Sequence, residues 1–274
     1  MAGIESRRNA ASGAADDVWA RLRRFTRARI GLGRVGGSLP TEALLDFELA
    51  HARARDAVHA RLDASALAGE LRRGGFGEAV IVASQARDRM EYLLRPDLGR
   101  ALDEESRVKL GESHRGGCSL AVAIADGLSA VAPARHAVAL LQELRMALGL
   151  NWRNVTSVVA NHARVALGDE IGELLGAEAV VVLIGERPGL SSPDSLGVYL
   201  TWAPHVGRTD AERNCISNVR PDGLQYPEAA QRLAYLLHEA RRLQLSGIAL
   251  KDDSGERGAR KVRARGAIAV HQIR

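Results

Sequence analysis

Three short stretches hold the polar side chains best placed to do chemistry: Asp126-Gly127-Leu128-Ser129, Asn161-His162-Ala163-Arg164-Val165 and Gly185-Glu186-Arg187-Pro188-Gly189. Between them they offer two carboxylates, an amide, an imidazole and two guanidinium groups, beside glycines that let backbone approach a ligand closely. That is the equipment of a polar ligand site. It does not name a reaction. Asp126 serves equally well as the cap of its own turn, Glu186 as an ion-pair partner of Arg187, and Pro188-Gly189 as a simple turn. His162 has no evident Ser or Cys nucleophile with an ordering acid, which a hydrolytic triad would require. Cys118 and Cys215 are the only cysteines. They form neither a disulfide framework nor a metal-spaced pair, so a structural zinc is not expected and a reducing compartment is. Cys215 by itself reads as a small buried residue.

Each polar stretch follows a continuous apolar run, and that is what should position it. Ser119–Ala125, Val155–Ala160 and Ala179–Ile184 read as strands buried on both faces. Helical patterns separate or follow them, at about Pro133 to Leu148 and Gly168 to Leu175. Strands alternating with helices predict an α/β fold: a Rossmann-like, mostly parallel sheet flanked by helices, with an N-terminal helical segment. Ligands in such sheets bind beyond the carboxyl ends of the strands, where the three polar stretches fall. Ala79–Ala83 reads as a further strand, Leu93–Arg100 as a strand end entering a proline-led turn, and Glu104–Leu110 as a short helix. Ser195–Trp202 adds another strand and Pro227–Leu245 a last helix.

Ahead of this body, Val18–Ile30 places Val18, Leu22, Phe25 and Arg29 on one helical face, an amphipathic helix. Thr41 is positioned to cap a second helix running to about Leu62. The intervening Gly31-Leu32-Gly33-Arg34-Val35-Gly36 has dinucleotide-binding spacing. It lacks the preceding strand and the acidic residue that the chemistry needs, so it is expected to be a hinge. The expected organisation is an N-terminal helical segment over 1–64, an α/β ligand-binding domain over 65–250, and a basic, disordered tail over 251–274.

The chain has 274 residues, 46% hydrophobic and 26% charged, a composition that folds rather than staying disordered. Aromatics make up only 4%, so the core must be aliphatic. The formal charge of +5 sits at the ends. Residues 1–34 carry eight Arg against Glu5, Asp16 and Asp17, and residues 251–274 seven Lys or Arg against Asp252, Asp253 and Glu256, which leaves the body at −4. Solvation explains such terminal charge more simply than RNA binding does. No apolar run has membrane-spanning or signal-peptide length, and a cytoplasmic protein is expected.

At the ligand loops the sequence closely resembles the small subunit of ethanolamine ammonia-lyase. The resemblance is carried in order by Thr41-Glu42-Ala43-Leu44-Leu45, Leu94-Arg95-Pro96-Asp97-Leu98-Gly99-Arg100, Ala125-Asp126-Gly127-Leu128-Ser129 and Asp169-Glu170-Ile171-Gly172-Glu173-Leu174-Leu175-Gly176. It is strongest at Gly185-Glu186-Arg187-Pro188-Gly189-Leu190 and Cys215-Ile216-Ser217-Asn218, and it covers about residues 25 to 250. It implies an adenosylcobalamin-dependent lyase that converts ethanolamine to acetaldehyde and ammonia by a radical route. In that family a large barrel subunit holds the substrate and supplies the catalytic residues, and the small subunit covers the cobalamin face. The resemblance therefore implies no catalytic residue in this chain, a hetero-oligomer with the large subunit, and neither nucleic acid nor membrane as partner. It puts cobalamin contacts at Val165, Glu186 and Cys215, with Asp126 and Arg187 as outer members of the site. Enteric relatives have a longer N-terminal extension associated with a microcompartment; this chain has a short one, and its basic tail runs past the family's usual end. Residence in a microcompartment stays open. The alternative is a stand-alone α/β ligand- or RNA-binding module.

Overall fold

A computed structural model describes residues 18–113, 117–149 and 152–255. The first 17 residues of the expected helical segment and the tail from residue 256 onward lie outside the described residues. The chain divides into two units, Met1–Arg53 and Ala54–Arg274. Among the described residues no helix is long and apolar enough to cross a membrane.

In the first unit, helix α1 spans Val18–Arg23, shorter than the expected run to Ile30. The chain leaves it through the tighter bonds of Arg24 N to Arg21 O (3.3 Å) and Phe25 N to Leu22 O (3.0 Å). Thr26 Oγ1 then accepts from Ala28 N at 3.0 Å, a local side-chain bond that competes with helix continuation. The glycine-spaced segment is a loop between two helices with no strand before it among the described residues. Gly31 has φ +58°, and Trp19 lies so close that a Cβ at this position would stand 2.2 Å from the indole. Arg23 Nη1 donates to Gly31 O at 2.7 Å. Helix α2 spans Thr41–His59. Pro40 O accepts from Leu44 N at 3.1 Å, so Thr41 is the first helical residue and not the cap.

The second unit holds a six-stranded sheet of order β1-β3-β2-β4-β5-β6. The strands are β1 (Val80–Ala83), β2 (Leu120–Ala125), β3 (Val155–Asn161), β4 (Ala179–Gly185), β5 (Leu196–Trp202) and β6 (Arg213–Val219). The first four in that spatial order pair in parallel, whereas β5 is antiparallel to β4 and β6 antiparallel to β5. Connection length accounts for the change of sense. A parallel return needs about a dozen residues or more, and only Glu186–Ser195 and Ala203–Glu212 join these last strands.

Helices α3 (Ala64–Arg73), α4 (Arg89–Leu94), α5 (Glu104–Ser113), α6 (Val131–Leu148), α7 (Leu167–Leu174) and α8 (Tyr226–Leu243) complete the described residues of this unit, with short single-turn helices between them. Alternate sheet residues feed two cores. Val122, Ile124, Val181 and Leu183 pack with α3, α6 and α8. Ala121, Ala123, Val180 and Val182 pack with α5 and α7. Every residue of β2 and β4 is buried, which is why these strands read as unbroken apolar runs.

Leu93 and Leu94 end a helix instead of a strand. Asp88 caps that helix by accepting from Glu91 N at 2.8 Å. The helix turns Tyr92 inward and leaves Leu94 exposed, so the Leu-Leu pair is not a buried run at all.

Candidate functional site

Asp126 follows β2 and is 3% exposed, yet it does not cap its own turn. Its Oδ2 accepts from His162 N and its Oδ1 from Ala163 N, both at 3.0 Å, across from the end of β3. His162 has φ +54°, a left-handed conformation that a residue other than glycine adopts only when its surroundings impose it. The surroundings here do so. Ser84 Oγ donates to His162 O at 2.7 Å, Tyr92 Oη donates to Ala163 O at 3.1 Å, and Arg164 N donates to Gly99 O at 2.8 Å. Val165 O then accepts from Gly168 N at 3.0 Å as α7 begins. The backbone leading to Val165 is therefore held by side chains from three other segments.

A second layer supports this turn. Arg89 is buried, donates to Val58 O at 2.7 Å and Gly127 O at 2.6 Å, and lies 3.5 Å from Asp126 Oδ2. Arg89 and Arg164 stand over the Tyr92 ring, at 4.9 and 4.4 Å from its centroid. Among the described residues Arg89 Nη2 and Arg164 Nε have no hydrogen-bond partner, and the ring face is the electron-rich surface that accommodates them. Burial pushes the Asp126 carboxyl up, against the opposing pull of the Ala163 and His162 amides and of Arg89. Ser84, Arg89, Asp126, Asn161 and His162 also line a cavity of about 430 Å³. His162 Nδ1 faces Ala86 O at 3.2 Å, so the ring is tied to backbone and not to a nucleophile.

Glu186 follows β4. Its side chain crosses over Gly197, where an added Cβ would stand 3.1 Å from Cγ and Oε1. That passage lets it reach β6. Ser217 Oγ donates to Oε1 at 2.6 Å, Asn218 N donates to Oε2 at 3.2 Å, and Ser195 Oγ also donates to Oε2. Glu186 does not pair with Arg187, which is exposed and has no side-chain partner among the described residues.

Cys215 is directly opposite Tyr199 in the β5–β6 register and solvent-exposed, not buried as its residue type suggested. Packing on its inner side pushes the thiol up and the Glu186 carboxylate adds to this, while a hydrogen bond with Tyr199 pulls the other way. The reactive species is the thiolate. Alkylation of Cys215 by iodoacetamide at neutral pH is therefore expected to be slower than that of a free cysteine, and to accelerate only above the ordinary thiol range. A rate equal to free cysteine at pH 7 would show the thiol to be unperturbed.

The far end of the Glu186 loop is anchored independently. Asp194 meets Arg220 at 3.2 Å, Arg135 at 3.1 Å and His136 Nε2 at 3.5 Å. Arg220 Nη2 also donates to Ser191 O at 3.0 Å, and Ser129 Oγ to Pro193 O at 2.8 Å.

The structure thus groups Glu186 with Cys215 through Tyr199 and Ser217, and groups Asp126 with the turn that presents Val165. Val165 and Tyr199 pack on the same core cluster, on the α7 face of the sheet. Reasoning from sequence missed Tyr92, Ser84, Ser195, Tyr199 and Ser217. Only Ser217 lay inside a quoted motif; the others are placed by contacts far apart in the chain.

The sequence model of the family described as "Ethanolamine ammonia-lyase light chain (EutC)" matches residues 16–251. The chain is 55% identical over 242 residues to an ethanolamine ammonia-lyase small subunit of Xanthomonas campestris pv. campestris (strain B100), covering 87% of this chain and 89% of that one. It is likewise 55% identical over 247 residues to the small subunit of Azotobacter vinelandii, covering 89% and 91%. With the protein of that name in Pseudomonas syringae pv. tomato it shares 55% identity over 240 residues, covering 86% and 83%.

Proposed function

The chain belongs to the ethanolamine ammonia-lyase light-chain family, and from that premise we propose that it is the small subunit of an adenosylcobalamin-dependent ethanolamine ammonia-lyase, covering the cobalamin at the interface with a large catalytic subunit. When bound, adenosylcobalamin supplies the radical chemistry that turns ethanolamine into acetaldehyde and ammonia; this chain supplies positioning. The observation that carries the reading is Glu186. Its carboxylate is held by three donors, from Ser195, Ser217 and Asn218, at the carboxyl end of a parallel strand. Open α/β sheets bind ligands at that edge.

The residues fit the group. A corrin is an apolar plate fringed by neutral amide arms, which need acceptors, donors and apolar contact in one place. Glu186 is an oriented acceptor, Ser217 and Ser195 supply hydroxyls, and Val165 and Tyr199 supply apolar surface. In this reading Val165, Glu186 and Cys215 face the cofactor. Arg187 stands at the rim, and Asp126 acts from behind by holding the turn before Val165.

One feature of the strand order supports a Rossmann-like reading of the sheet. From β2 the chain goes to β3 on one side and returns to β4 on the other, the reversal that opens a crevice in doubly wound folds. We assign the α/β body over 65–250 to the cofactor and the N-terminal segment over 1–64 to packing. Trp19, Phe25, Leu45, Phe47 and Leu49 remain exposed, as suits a chain that buries apolar surface on a partner.

Ammonia release from ethanolamine with added adenosylcobalamin is the direct test, with this chain and the large subunit from the same genome assayed together and separately. Activity is expected only in the mixture. A well-formed complex without activity would overturn the reaction, and the absence of any complex would favour a stand-alone binding module.

A further inference from the structure

The Asp169–Arg213 pair lies outside every contact described above. Both side chains are almost completely buried, 3% and 2% exposed. The contact is a two-point fork: Arg213 Nη2 donates to Asp169 Oδ2 at 2.8 Å and Nη1 to Oδ1. Three further contacts hold the guanidinium itself: Nη1 to Thr201 Oγ1 at 3.2 Å, Nη2 to Arg208 O at 2.9 Å, and Nε to Asp210 Oδ1 at 3.4 Å.

Its position gives it a use. Asp169 is in the first turn of α7, the helix that starts immediately beyond the Val165 turn and lies so close to the sheet that a Cβ on Gly168 would stand 2.3 Å from Val182. Arg213 opens β6 two residues before Cys215, on the same face of the strand. The fork thus spans the two elements that present Val165 and Cys215. Stability does not explain it, because a buried ion pair repays its desolvation poorly and an apolar pair of similar volume often does as well or better. What a two-point fork supplies and an apolar contact does not is fixed direction and distance.

We infer that Asp169 and Arg213 are positioning residues that set where Val165 stands relative to Cys215, and so the shape of the surface offered to a corrin. This rests on the cofactor reading above.

The test uses the complex of this chain with its large subunit and hydroxocobalamin as the probe, followed by absorbance titration alongside thermal unfolding. In Asp169→Leu/Arg213→Met both charges are gone and the core is kept apolar. The double variant is expected to assemble and to unfold within a few degrees of wild type, while binding hydroxocobalamin roughly tenfold or more weakly. With adenosylcobalamin its cofactor KM should rise and kcat at saturation be largely kept. Wild-type cobalamin affinity in a normally folded double variant would overturn the inference. Should that variant not assemble, Arg213→Lys keeps the charge without the fork and must show the same selective weakening, or the inference falls. A wild-type complex that bound no hydroxocobalamin would instead remove the cofactor reading, and this inference with it.

Discussion

Asp126→Ala is expected to destabilise the chain by about 3–5 kcal/mol, the cost of removing one member of a buried charge pair. Three losses combine at this position. Two backbone N–H groups, on His162 and Ala163, lose their acceptor inside the protein, at about 1–3 kcal/mol for each buried donor left unpaired. Arg89 loses the carboxylate at 3.5 Å while staying buried between Val58 O and Gly127 O. The left-handed His162 backbone loses the contact that holds it. These losses share partners and do not add in full. Asp126→Asn retains one acceptor but turns an NH₂ group toward the other amide, so it should fall between wild type and Ala. Urea unfolding of the three proteins checks this. A loss below about 0.5 kcal/mol for the Ala variant, the level of an ordinary surface change, would show that the turn does not depend on Asp126.

Glu186→Ala is expected to weaken cobalamin binding by the assembled enzyme about 10–100-fold, since hydrogen bonds to a charged group contribute about 1.5–3 kcal/mol and each 1.4 kcal/mol is tenfold in affinity. Folding should change less, because Glu186 is only half-buried and the Ser217 hydroxyl it releases is exposed; Ser195, which is buried, is the one donor left without its acceptor inside the protein. Glu186→Gln keeps the reach over Gly197 and an oxygen acceptor, and should lie between the two. Hydroxocobalamin titration of the complexes, with their unfolding temperatures measured alongside, separates the effects. An unchanged affinity in a stable Glu186→Ala complex would take Glu186 out of the cofactor contact. A parallel collapse of stability would make it a structural residue of the β4–β6 junction.

The two predictions differ in how far sequence could have anticipated them. Glu186 lies at the end of an apolar strand, inside a motif, where topology alone places ligand groups. Two of its three donors, Ser217 and Asn218, come from β6, which the apolar pattern did not reveal. Arg213–Val219 is an edge strand with a few buried positions among exposed ones, and its Ile216 and Val219 are too few to register as a strand signal. Asp126 was legible as a strand-end carboxylate. Its partners lie 36 and 37 residues away in sequence, so local reasoning offered only its own turn to cap.

By itself, the sequence determined the layered α/β plan, the strands buried on both faces and the family. Those properties follow from apolar periodicity and from motifs contiguous in the chain. Tertiary structure decided the antiparallel sense of β5 and β6, the helical state of Leu93 and Leu94, and the use of Asp126 to hold a turn instead of capping one. It alone paired Asp169 with Arg213. Each of these depends on which distant segments meet across the sheet, and a side chain's hydrogen-bond partner is set by that meeting and not by its neighbours in the chain.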